Sequence, residues 1–149
     1  PFLVRWPGVV DAGSVSKHVL YFPDVMPTLG EIANADIPKT DGISFLPTLL
    51  NHPTDQRKHR YLYWEFGDQT AVRTGNWKAY RDAKNGWQLY DLSKDIEEKL
   101  DLASEQPAVL KRLSEQAEQA HEPIRPGEIY REDLIQKDRR QSPGWRRRQ

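Results

Sequence analysis

Apolar positions along the chain change period several times, and each change predicts an element. Phe2-Leu3-Val4-Arg5-Trp6 is a short run of strand type, stopped by the turn dipeptide Pro7-Gly8. Asp24 stands where a helix cap is expected. The helix after it runs to about Asn34, with Val25, Leu29, Ile32 and Ala33 on one face and Pro27 tolerated in the first turn. Pro38 and Asp41-Gly42 break the chain, and Phe45 to Leu50 forms one apolar helical turn before a polar loop with His52, Pro53 and His59. An antiparallel meander follows. Tyr61 to Phe66, Ala71 to Arg73, Trp77 to Arg81 and Trp87 to Leu92 are its strands, joined in part by Thr74-Gly75-Asn76 and by the hairpin signal Asn85-Gly86. Strand alternation puts Trp77, Ala79 and Arg81 on one face and Lys78 and Tyr80 on the other. Such a sheet needs a cover, which the helix from about Pro107 to His121 offers through Leu110, Leu113, Ala117 and Ala120. The pattern is that of an α/β (α+β) chain. Residues 122–149, rich in Pro, Arg, Glu and Gln without a sustained period, are expected as an extended or disordered tail.

Composition adds mainly exclusions. Of 149 residues, 37% are apolar and 30% charged, which is polar for an independent domain, yet five Trp, six Tyr and four Phe argue against general disorder. No apolar run is long enough for a membrane span. The formal net charge of zero gives no reason to expect nucleic acid as a partner, and the terminal Arg146-Arg147-Arg148 is read as a solvated tail. There is no cysteine, so disulfides, thiolate metal sites and cysteine nucleophiles are excluded. The chain opens on Pro1 and its single methionine, Met26, falls inside a predicted helix. A cleavage product, a truncation or a partial gene is therefore expected rather than a natural beginning.

Chemistry does not emerge from the residues by themselves. No Gly-rich phosphate loop, His-Glu-x-x-His helix or Gly-x-Ser-x-Gly elbow occurs. His52, Asp55 and His59 share a hydrophilic loop and are read as solvated rather than as a metal site. His18 has no visible partner, and His121 complements the dipole at a helix end. Glu65 closes an aromatic strand, either facing a polar cleft or serving as an ordinary edge-strand charge, and Trp64 beside it offers a flat face to a sugar or aryl group. Arg73 and Lys78 flank a hairpin and would meet an anion or simply discourage edge pairing. Asp95 with Glu98 reads as a capping box.

Several segments in order resemble the arylsulfatase type of sulfatase. Phe2-Leu3-Val4-Arg5-Trp6-Pro7-Gly8 is similar to the strand and turn after that family's active-site lysine region. Asp24-Val25-Met26-Pro27-Thr28-Leu29 resembles its Asp-x-x-Pro-Thr helix start, and Asp41-Gly42-Ile43-Ser44-Phe45-Leu46-Pro47 its Asp-Gly-x-Ser-x-x-Pro segment. Tyr63-Trp64-Glu65, Ala71 to Lys78, and Leu89-Tyr90-Asp91-Leu92 with Asp95 and Glu98 resemble its small carboxy-terminal sheet. The likeness covers about residues 1 to 121. It implies an alkaline-phosphatase-like fold, with residues 1–55 completing the edge of a large sheet and 56–121 forming a small antiparallel subdomain. It also implies sulfate-ester hydrolysis by a formylglycine and calcium, both held by an N-terminal sulfatase domain outside this chain, on a sulfated small molecule or glycan and outside the cytoplasm. The formylglycine motif is Cys/Ser-x-Pro-x-Arg, and Ser142-Pro143-Gly144-Trp145-Arg146 has the wrong spacing for it. No catalytic or metal residue is therefore carried over. Glu65, Trp64, Phe66 and Arg73 are expected at the rim of the substrate pocket. The other readings are a related phosphonate or phosphodiester hydrolase and a free-standing binding module without catalysis.

Overall fold

A computed structural model describes residues 2–123, together with Asp133, Gln136 and Lys137, which are helical. The expected tail at 122–149 otherwise lies outside the described residues. Within residues 2–123 the helices and strands follow in the order α1 (Val25–Ala33), α2 (Leu46–Leu49), β1 (Leu62–Phe66), β2 (Gln69–Thr74), β3 (Trp77–Asp82), β4 (Gly86–Asp91) and α3 (Pro107–Ala120). A 3-10 turn, Phe22–Asp24, leads into α1.

The sheet is an antiparallel meander with strands in the order β1-β2-β3-β4. Register across it sets Val72 opposite Ala79 and Ala79 opposite Leu89. Cross-strand partners share a face, so these three form one row, and Leu113 and Ala117 of α3 cover it. All five are buried, and full burial of each larger aliphatic side chain stabilises by about 1.5–3 kcal/mol. Tyr63, Trp77, Trp87, Val109 and Leu110 pack around them. The predicted helix stripe therefore covers the sheet as expected.

Turn chemistry accounts for the connections. Gly75-Asn76 is a two-residue loop whose Gly75 sits at φ 60°, the left-handed conformation that such a hairpin requires of its first loop residue. The Asn85-Gly86 signal produces a longer turn: Asp82 pairs with Gly86, and the Asp82 carboxylate accepts the amides of Lys84 and Asn85. The far edge, β4, is closed by its own chain. Leu102 N–H donates to the Leu89 carbonyl, and the Asp101 carboxylate accepts from Leu89 N–H.

The first third of the chain departs from the sequence pattern. Phe2 to Trp6 forms no strand: it has no neighbouring chain to pair with among the described residues, although Phe2 packs edge-on to Phe45 at 5.4 Å. The apolar stripe of α1 faces outward, with Leu29 58% exposed, while Thr28 and Gly30 are its buried residues. Asp24 does not cap α1. Its own backbone is already helical, and its carboxylate instead receives the Tyr21 amide of the preceding turn.

Gly42 fits against the carbonyl of Pro23 so closely that an added Cβ would collide with backbone. Gly42→Ala should cost about 2 kcal/mol or more, because neither backbone segment can yield cheaply. A lowered thermal midpoint would show it, and an unchanged one would mean that the approach relaxes.

Candidate functional site

Alternation along β1 separates the side chains expected at a pocket rim. Tyr63 and Glu65 face α3, whereas Leu62, Trp64 and Phe66 face the other way. Arg73 lies opposite Leu62 in the register and so joins the Trp64 face, together with Ala71 opposite Trp64 and Tyr80 opposite Ala71. Phe66 is 85% exposed and Trp64 41%. Arg73 donates from Nε to the Gly75 carbonyl at 3.0 Å, which fixes its stem beside the β2–β3 turn. Lys78, on the same face, is held by both oxygens of Glu98 at 2.6 and 2.7 Å. Glu98 thus serves Lys78 rather than closing a capping box with Asp95, whose carboxylate accepts the amides of Lys99 and Leu100.

Glu65 belongs to a separate group on the helix side. Its Oε2 accepts from Tyr63 Oη at 2.8 Å and lies 2.9 Å from His121 Nδ1. His121 therefore ties the end of α3 to β1 instead of merely complementing a helix dipole. The hydrogen bonds from His121 and then Tyr63 hold the Glu65 carboxyl below its ordinary value, whereas burial and the bond to Glu65 push the Tyr63 phenol up to about 12. A folded-state carboxyl that titrates below its unfolded value of 4.5 contributes stability above that value, and loses it as pH falls through the folded one. His121→Ala should move the Glu65 titration back up, seen by NMR, while changing stability by less than about 1 kcal/mol, as for exposed pairs. An unmoved titration would disprove the link.

A denser polar cluster lies where the first part of the chain meets the sheet. Asp24 is fully buried. Its Oδ2 accepts the Tyr21 amide at 3.0 Å, and its Oδ1 accepts the Ile43 amide at 2.8 Å and lies 2.7 Å from His59 Nε2. His59, expected as a solvated loop residue, is largely buried in this pair. The Tyr21 ring stands edge-on to both His59 (4.9 Å) and Trp64 (6.1 Å). Thr28 donates to the Asp24 carbonyl and accepts from Phe45 N–H. Gln56 joins Thr48 to the Ser44 carbonyl. His18 is half-buried near this cluster, and burial lowers its pKa against the opposing pull of Asp24. The sequence does not mark Asp24 and His59 as a pair, since 35 residues separate them and neither sits in a recognisable ligand pattern.

Among the described residues no three His, Cys, Asp or Glu side chains converge to hold a metal ion. Among the described residues no carboxylate cage suits calcium, and the sequence has neither a cysteine nor a serine in the x-Pro-x-Arg spacing from which a formylglycine is made. No helix of the described residues is long and apolar enough to cross a membrane.

The family model described as N-sulphoglucosamine sulphohydrolase, C-terminal, matches residues 1–123. The chain is 30% identical over 139 residues to the N-acetylglucosamine-6-O-sulfatase of Bacteroides thetaiotaomicron, which covers 80% of this chain and 25% of that protein. A 64-residue stretch is 42% identical to the ulvan-active sulfatase of Formosa agariphila, covering 42% of this chain and 12% of that one. Among solved structures, BT4656 in complex with its substrate D-glucosamine-2-N,6-O-disulfate superposes with a TM-score of 0.60 at 26% identity, over 77% of this chain and 26% of that chain. The matched stretch therefore spans about a quarter or less of these relatives' own length.

Proposed function

The chain belongs to the family of sulfatase C-terminal parts described as N-sulphoglucosamine sulphohydrolase, C-terminal, and on that premise we propose that the intact protein hydrolyses sulfate esters of a carbohydrate. The observation that carries this reading is a family match through residues 1–123 that corresponds to only the last part of much longer sulfatases. The substrate class is inferred from the saccharides named for the relatives, which act on or bind sulfated sugars.

Residues 1–55 are proposed to end the large domain and 56–121 to form the small subdomain. Exposed apolar side chains support the division. Twelve of the sixteen large exposed hydrophobics among the described residues fall between Phe2 and Leu50, Phe22 at 87% and Val15 at 92% among them. Apolar side chains exposed in that number are ordinarily covered, and the upstream part of the large domain is the proposed cover.

Sulfate-ester cleavage needs a nucleophile, an electrophilic metal and cations fixed around the developing charge. These are assigned to the upstream part, including the formylglycine and calcium of the family. This chain supplies the rim: Trp64 as a flat stacking face, with Phe66 and Arg73 beside it and Glu65 holding the strand end from behind. Export from the cytoplasm is part of the same proposal.

The test is to clone the upstream coding sequence and assay the intact protein on sulfated mono- and oligosaccharides. Sulfate release from the intact protein, and none above background from the 149-residue chain, is the expected result. Equal release by the purified short chain would refute the division of labour. A folded short chain with cooperative unfolding and an inactive long form would instead favour a binding module.

A further inference from the structure

We propose that His59 is a positioning residue for substrate binding, acting through Asp24 and Tyr21 on Trp64. The inference rests on the sulfatase reading and on Trp64 lying at the pocket rim. Its basis is a continuous chain of contacts across the junction between the two parts. The Asp24 carboxylate is fixed from three directions, by two backbone amides and by the imidazole. Its helical turn, the Asp41–Phe45 segment and the start of the sheet are thereby locked together. The imidazole is three residues before Leu62 and presents itself to the edge of the Tyr21 ring at 4.9 Å, and Tyr21 in turn meets Trp64 at 6.1 Å, both near perpendicular. Edge-to-face packing of this kind prefers defined ring orientations. The exposed Trp64 indole therefore takes its angle from a buried imidazole that touches no substrate.

Removing the imidazole leaves the Asp24 carboxylate short of a donor and deprives Tyr21 of its support. Trp64 then loses its preset orientation, and ordering it falls on the incoming substrate. The signature is a rise in KM with kcat nearly unchanged, because uniform binding is lost rather than an interaction confined to the transition state.

The experiment uses the intact protein with His59→Ala, His59→Gln, Trp64→Ala and the double variant His59→Ala/Trp64→Ala, assayed on a sulfated oligosaccharide. His59→Ala should raise KM about fivefold, in line with the loss of one oriented aromatic contact. His59→Gln loses the ring contact with Tyr21, but its amide nitrogen can reach the place of Nε2 and so keep the Asp24 carboxylate on the Tyr21 amide. It should restore KM to within about twofold of the parent, as the hydrogen-bonded route is retained. The double variant should show little loss beyond Trp64→Ala alone, since both changes act on one element. Additive losses, or a fall in kcat at constant KM, would overturn the proposal. Hydrogen exchange at Tyr21–Asp24 and at Leu62–Phe66 reports on the linkage without catalysis. The two segments should quicken together in His59→Ala and not in His59→Gln, and independent behaviour would refute the linkage. An intact protein that releases no sulfate would refute the sulfatase reading and the kinetic role together, and the exchange data would then decide on the linkage alone.

Discussion

Asp24→Ala should be the most damaging single change in the first part of the chain, costing about 3–5 kcal/mol, the size expected when one partner of a buried pair is removed. The carboxylate is fully buried and satisfies the Tyr21 amide, the Ile43 amide and the His59 imidazole at once. Alanine strands all three donors, and each desolvated orphan costs about 1–3 kcal/mol. Asp24→Asn is the informative partner variant. It keeps an oxygen for Ile43 and His59 but turns an amide nitrogen toward the Tyr21 N–H, so its loss should be about 1–3 kcal/mol. Urea or thermal unfolding of the intact protein measures both. Equal and small losses would show that water replaces the carboxylate and that the cluster is dispensable.

Leu89→Ala is the counterpart in the sheet. Leu89 is completely buried at the centre of β4, with Ala79 on one side and the Leu113 layer of α3 above it. Its truncation opens a cavity between a sheet and a helix, neither of which can collapse without disturbing the other. The expected cost is about 2–5 kcal/mol. Leu113→Ala should fall in the same range, and the double variant should lose less than the sum, because both changes enlarge one cavity. Strict additivity would mean that the two side chains occupy separate voids.

The small sheet was largely legible from the sequence because its signals are local. Alternation, Gly at tight turns and a helical stripe of Leu110, Leu113 and Ala117 depend only on neighbours, and the structure pairs and covers the strands accordingly. In the first part the helices were legible, but neither their packing nor the fate of Phe2 to Trp6 was. The α1 stripe of Leu29 and Ile32 reads as a core face, yet it is exposed, because the surface it suits is not supplied by the described residues. Phe2 to Trp6 likewise has strand composition and no strand beside it. Of the residues expected at a pocket rim, Trp64, Phe66 and Arg73 share a face, while Glu65 is turned away by simple alternation, a separation the sequence already implied. Asp24 and His59 were not legible as a pair. A buried polar contact between distant positions leaves no periodic trace, and an Asp before a helix has a commoner explanation as a cap.

The unbroken neighbour order of the sheet has a kinetic corollary. Each strand pairs only with the one before or after it in the chain, and no crossover intervenes. Contacts of that kind close short loops at little entropic cost, and chains dominated by them reach their folded form quickly. Contact between His59 and Asp24, by contrast, must close a span of 35 residues. The hairpins are therefore set to assemble first, as a preformed plate, and the junction to seal after them.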